Sequence, residues 1–444
     1  MKKILTLLLV LVAGVTLVSC DKDGEVEVGG VVIDFSKSLV QKTEITVWID
    51  DEEGDYMEEI IDAFNEIYPN IVVNHTHMGS VDARERLKTF GPSGNGADVF
   101  QFPHDHLAAA YSEGLLYALP SETQALITER SHPMGVEIAT ITENGTDKLY
   151  GVPMSLEALT LYYNKALVDE VPDTLEEILE EGATWNAATV ASTHEGSEDT
   201  RTNAEAGYYY LTTSSHWSDS YFDQFIFSAF GFRPFGENGD DASAVGFDSQ
   251  AMKDALEFMR DDLKPVVVGG NDNRDGKGGD FESGNIPYII TGPWSNEAYT
   301  EKLGDDLGIS TLPTVNGQAG APFAGAIMAA VYKYAKNPSD AIKFVEFLSS
   351  DIAMEIQYEY KTKLPALKTE LLTNIAGVSE DEFLLTTAEQ LNNAVPMPTI
   401  EEVQSYWGPA ETMIDNVWIN NADIAQAVKD AEESYAALRA LANN

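Results

Sequence analysis

TEITVWIDDEEGDYMEEIIDAFNEIYPNIVV (43–73) carries two hydrophobic periods in succession. TEITVWI (43–49) alternates apolar and polar residues, the period of a strand. YMEEIIDAFNEIY (56–68) sets Met57, Ile60, Ile61, Phe64 and Ile67 on one helical face, and Pro69-Asn70 ends the helix before a second β-branched run, IVV (71–73). A strand, a helix and a strand at this spacing form a right-handed crossover between parallel neighbours. The unit predicts an α/β protein.

The rest of the chain repeats the alternation. Further strands are expected at 98–101, 158–163, 208–212, 286–291 and 326–332. Helices are expected at 80–89, 175–181, 219–229, 250–263, 338–348, 352–360 and 422–442. Glycine- and proline-rich breaks at 91–96, 231–246, 268–279 and 313–325 are turn-dense loops, too short for a disordered linker. No internal repeat is visible. A chain of 444 residues allows about three domains on length alone; without a clean linker, two lobes with several chain passages between them fit better.

The chain has 27 Lys+Arg against 73 Asp+Glu, a formal charge of −46. Such a surface excludes nucleic acid as a partner, because phosphate binding needs cations. With 44% hydrophobic residues the chain has ample material for cores, which excludes an acidic disordered tail. Acid runs at 50–55 and 176–181 read mainly as solvated faces. The one cysteine rules out an internal disulfide and a Cys-rich metal site.

That cysteine is placed tellingly. Lys2 and Lys3 precede an apolar stretch from Ile4 to Val18, which ends in Leu17-Val18-Ser19-Cys20. This is a secretory signal, too short for a confident membrane span. Its end resembles the bacterial lipobox, which implies cleavage after residue 19 and acylation of Cys20. Residues 20–42 then read as a tether, within which a strand at Val31 to Phe35 is allowed but not needed.

Motifs for catalysis are lacking: there is no G-x-x-x-x-G-K-[ST], G-x-S-x-G or H-E-x-x-H. Two histidine pairs, His75 with His77 and His104 with His106, could face one side of an extended segment and hold zinc, but loop or rim positions are the expectation. NDNRDGKGGDFE (271–282) has EF-hand-like spacing with Gly276 and Glu282 in place; it lacks Asp at position 1 and has Gly278 where an apolar residue belongs. A solvated acidic turn is expected, and no metal or cofactor.

Seven segments in order carry a resemblance: WIDDEEGD (48–55), GADVFQFPHDHLAAAYSEGLL (96–116), YGVPMSLEALTLYYNKALV (150–168), FESGNIPYIITGPWS (281–295), LGISTLPTVNGQ (307–318), PFAGAIMAAV (322–331) and MPTIEEVQSYW (397–407). Together they resemble the maltose/maltodextrin-binding proteins, extracellular sugar-binding subunits of ABC importers, over essentially all of 43–444. The resemblance implies a two-lobed periplasmic-binding-protein-like fold of class II type with three hinge crossings. It sets lobe one at 43–155 plus 323–370 and lobe two at 158–318 plus 376–444, with a hinge closure around ligand.

It also implies a site. Sugars present hydroxyl edges and C–H faces, so their clefts interleave carboxylates with aromatic rings. The matching positions are the acids Asp50, Glu52, Asp105, Glu157 and Asp219, and the aromatics Phe102, Tyr221, Trp294 and Trp407. Basic family contacts are replaced by Glu53, His106 and Glu411, and a stacking Tyr by Gly408. With so many acids a neutral sugar is favoured over an anionic one. The function expected from the resemblance is a monomeric, lipid-anchored receptor on the extracellular face of the membrane. It would deliver maltose, maltodextrins or a related neutral oligosaccharide to an ABC permease, without enzymatic chemistry. Another disaccharide such as trehalose is the alternative ligand; a secreted glycan-acting enzyme and a zinc-uptake receptor are the more distant readings.

Overall fold

The computed structural model describes residues 42–143, 145–267 and 275–442, together with the backbone of Glu25–Val28 and Val31–Asp34. The signal segment and Cys20 lie outside the described residues. Within the expected tether, Glu25–Val28 and Val31–Asp34 pair as an antiparallel hairpin, so that segment holds strand structure the sequence reading did not require.

The opening unit forms as expected. Thr43–Ile49 pairs in parallel with Ile71–His77, from Thr43 opposite Ile71 to Ile49 opposite His77, and Asp55–Ile67 is the crossover helix. Its buried face differs in detail. Tyr56, Met57, Ile60 and Phe64 are buried, Ile61 is half-buried and Ile67 is exposed. In the last turn Tyr68 packs on Phe64 instead, with ring centroids 5.0 Å apart.

The first sheet has the order Leu364–Pro365, Val152–Glu157, Phe323–Val331, Val99–Pro103, Thr43–Ile49, Ile71–His77, with Val395–Pro396 added beside Phe323–Val331. Its core includes Ile45, Val47, Phe100, Phe102 and Met328. The second sheet has the order Leu211–Thr213, Tyr288–Thr291, Thr160–Asn164, Leu307–Ser310. Against it and the helices Trp407–Trp418 and Ile424–Ala442 lies a separate core that includes Leu161, Tyr288, Met413 and Trp418.

The expected strand at 158–163 proves to sit astride a passage between sheets: Val152–Glu157 belongs to the first and Thr160–Asn164 to the second. Val152–Glu157 escaped sequence reading because all six residues are buried, which erases the alternation that marks a strand with one wet face. The chain returns to the first sheet at Phe323. The expected start of lobe two at 376 also meets a different arrangement. Val378, Leu384 and Leu391 pack with Leu156, Ala324 and Leu364 in a small cluster, and Val395–Pro396 pairs with the first sheet, while Phe383 stacks on Tyr162 of the second. This segment straddles both sheets.

Ser121–Arg130 and Asn296–Leu303 are helices that the periodicity did not reveal. Each buries only two residues, Thr123 with Ile127 and Asn296 with Tyr299, so no apolar stripe marks them. The helix expected at 219–229 is shorter, Gln224–Ala229, because 219–223 form a turn. Of 271–282, residues 271–274 lie outside the described residues. Thereafter Gly276 N–H donates to Ser215 O (2.8 Å) and Lys277 N–H to Thr212 Oγ1 (2.8 Å), and Gly278–Glu282 is helical. Gly276 is required there: a Cβ would lie 1.9 Å from Thr213 O.

Candidate functional site

A cleft of about 560 Å³ opens where loops from both sheets meet. Asp50 follows the C-terminus of Thr43–Ile49, and the turn His104–His106 follows Val99–Pro103. Glu157 ends Val152–Glu157, and Trp294 sits in the turn after Tyr288–Thr291. Such crevices beyond the carboxyl ends of strands are where α/β sheets place ligands. Asp219 and Tyr221 come from the turn before Gln224–Ala229, and Trp407 from the start of Trp407–Trp418.

Seven of the nine sequence-derived residues therefore line one cavity: Asp50, Asp105, Glu157, Asp219, Tyr221, Trp294 and Trp407. Two do not. Phe102 is buried in the first core, stacked on Phe100 with centroids 4.9 Å apart. The period of two along Val99–Pro103 turns Phe100 and Phe102 inward and leaves Pro103 to the cleft. Glu52 is exposed and outside the cavity. Its neighbour Asp51 takes the inward position, accepting from Met57 N–H (2.9 Å) and pairing with Lys361 Nζ (2.7 Å).

Trp294 is 43% exposed, unusual for so large an apolar ring. It lies against Tyr221 (6.3 Å) and Phe222 (6.1 Å), and Trp407 packs edge-on to Phe323 (6.1 Å). The acids are held in place. Ser215 Oγ donates to Asp219 Oδ2 (2.6 Å) and Tyr221 N–H to Asp219 Oδ1 (3.0 Å), while Glu157 Oε1 lies 3.3 Å from Lys363 Nζ. Burial, reinforced by Glu157, Asp105 and Asp219, pushes the Tyr221 phenol far up, so it stays a donor. His104 is buried, and its Nδ1 accepts from Ala326 N–H (3.1 Å). Burial lowers its pKa and outweighs Asp105, which leaves a neutral ring with its proton on Nε2. The arrangement offers oriented acceptors and donors beside flat apolar rings.

The sequence reading missed Lys363, Ser80, His216 and Met397, all of which line the cleft. The departures His106 and Glu411 also line it, and His216 Nε2 lies 3.8 Å from Glu411 Oε1. Only Lys363 had a signal: two lysines in three residues (361–363) stand out in so acidic a chain. The first histidine pair is engaged in backbone bonds. His75 Nε2 lies 3.0 Å from Ile49 O, and His77 Nδ1 accepts from Asp51 N–H at 3.2 Å. Among the described residues no three His, Cys, Asp or Glu side chains are grouped to hold a metal ion.

Residues 50–355 match the family model described as bacterial extracellular solute-binding protein. The chain belongs to that family. This solute-binding protein is 29% identical to the galactooligosaccharide-binding protein of Bacillus subtilis, across 90% of each chain. It is 27% identical to the maltooligosaccharide ABC transporter solute-binding lipoprotein of Streptococcus pneumoniae, across 87% of each. The crystal structure of MalX from Streptococcus pneumoniae in complex with maltopentaose superposes with a TM-score of 0.75 at 25% identity, covering 89% of this chain and 100% of that one. The maltose-maltodextrin binding protein of Alicyclobacillus acidocaldarius gives 0.72 at 25% identity, covering 88% and 100%. The two-lobed fold and the resemblance drawn from the seven segments agree with these matches. No described helix is long and apolar enough to cross a membrane.

Beneath the Asp219 turn sits Asp223, 1% exposed, whose Oδ2 has no hydrogen-bond partner. Burial, with Asp219 nearby, raises its pKa well above the ordinary value. A carboxyl that binds its proton more tightly folded than unfolded imposes no penalty below its unfolded pKa of about 3.9, and a growing one as pH rises above it. Asp223→Asn is expected to raise the melting temperature at pH 7 by about 2 °C or more, and to leave it unchanged near pH 3.5. A gain of equal size at both pH values would contradict a protonated Asp223.

Proposed function

We propose that this protein is the sugar-capturing receptor of an ABC importer, binding malto-oligosaccharides or a related neutral oligosaccharide in the cleft between its lobes. The observation that carries this reading is the convergence on one cavity of Trp294, Trp407 and Tyr221 with Asp50, Asp105, Glu157 and Asp219. Rings meet the C–H faces of pyranoses and carboxylates take their hydroxyls. The named ligands of the relatives support the class, and the galactooligosaccharide-binding relative adds galactosides to the candidates.

In this reading the lobes close about a hinge, the protein acts as a monomer, the loaded receptor docks on membrane permease subunits, and no bond in the sugar is broken. Calorimetry with maltose to maltohexaose, galacto-oligosaccharides, trehalose and zinc, with product analysis of the incubated sugars, tests it. Heat with a neutral oligosaccharide and intact sugar afterwards is expected. Heat with zinc alone, or hydrolysed product, would replace it with a different function.

A lipid on Cys20 would hold the receptor at the extracellular face of the membrane, as the lipoprotein relative's name suggests. Cys20→Ala is expected to release nearly all of the protein into the medium or leave it unprocessed. Cell fractionation reads this, and normal processing with membrane retention would argue against lipidation.

A further inference from the structure

A side chamber of about 220 Å³ opens off the main cleft. The two share Asp50, Ser80, Trp294, Ile327 and Lys363, so the chamber continues the cleft past the Trp294 ring. By liquid volume it would hold about seven waters, the bulk of one sugar ring.

Its floor is polar, buried and short of partners. Ser155 is 1% exposed and its hydroxyl makes no hydrogen bond. Gln101, also buried, uses its carbonyl on Asp50 N–H (2.9 Å), while its amide NH₂ meets the Met154 thioether at 3.5 Å, a weak acceptor. A buried hydroxyl and a buried amide without oxygen partners are costly to keep, and their complement is a group rich in hydroxyls.

Charge narrows the choice. Lys361 Nζ lies 2.7 Å from Asp51 and Lys363 Nζ 3.3 Å from Glu157, so both ammonium groups are compensated by protein carboxylates. Asp50 and Glu297 add negative charge at the rim. An anionic group entering here would meet net repulsion, and the floor groups left without oxygen partners, a hydroxyl and an amide, are neutral and complement a neutral polar group.

The geometry points to this chamber as an end subsite for one further neutral pyranose unit, beyond the ring carried by Trp294, with Ser155 and Gln101 bonding its hydroxyls. The inference rests on the sugar-receptor reading and adds that the chamber reads chain length.

The test titrates wild type, Ser155→Ala and Ser155→Val with maltose to maltohexaose and with galacto-oligosaccharides of matching length. Ser155→Ala removes the unpaired hydroxyl without adding bulk, so it should fold with undiminished melting temperature and carries the test if the valine variant does not fold. Wild type is expected to gain about tenfold in affinity at the length that reaches the chamber. Both variants should erase that step while holding shorter sugars within about twofold. Wild-type binding without a step, or variants that weaken every length alike, would overturn the subsite and leave the receptor reading intact. No heat with any oligosaccharide would overturn both.

Discussion

Trp294→Ala and Trp407→Ala are each expected to weaken oligosaccharide binding by about 2 kcal/mol or more, roughly 30-fold in Kd. The two rings come from distant parts of the sequence and meet in one cleft, Trp294 against Tyr221 and Phe222, Trp407 against Phe323 and Tyr406. Trp294 presents much of its ring to the cavity, so truncation removes a stacking face and loosens Tyr221 as well. Because the ring is so exposed, the variant should keep its fold, and melting temperatures close to wild type are expected for it. Isothermal titration with the best-bound sugar of the panel measures the effect; an unchanged Kd would remove that tryptophan from the site.

Asp51→Ala is expected to cost about 2–3 kcal/mol of stability, less than the full penalty for a buried ion pair because the Lys361 side chain left behind is 27% exposed. Asp51 is 2% exposed and does two jobs: Oδ2 accepts from Met57 N–H at the start of the crossover helix, and Oδ1 binds Lys361 at the end of Asp351–Lys361. It thus ties residues 310 apart in sequence. Burial alone would raise its pKa, but the Lys361 and Met57 bonds outweigh burial and hold it below the ordinary value. A depressed folded pKa gives stability that is fully present above the unfolded value of about 3.9 and is lost as pH falls through the lower folded value. Urea titrations should show a large gap between wild type and variant at pH 7 that narrows below about pH 4. A gap independent of pH would mean that the carboxylate charge is not what stabilises this corner.

The same corner shows how far residue patterns reach. The strand-helix-strand unit at 43–73 was legible because its periods are local and each element has one wet face. Val152–Glu157 was not, since burial on both faces removes the alternation. Within the site, motif position brought forward Asp105, Glu157, Trp294 and Trp407, which line the cleft, and also Phe102, which the pleat turns into the core, and Glu52, which lies outside it while Asp51 takes the inward position. One residue of register decides between cleft and core on a strand, and a family position does not carry that register.

Sequence by itself determined the α/β class and pointed to seven of the residues that meet in the cleft, because local period and ordered motifs lie along the chain. Only the tertiary structure decided that Lys363 offsets the cleft's Glu157, that 378–396 straddles both sheets, and that a buried hydroxyl at Ser155 floors a second chamber. Those facts depend on which distant side chains share a desolvated space. Pairing and burial between residues hundreds of positions apart leave no mark on local pattern.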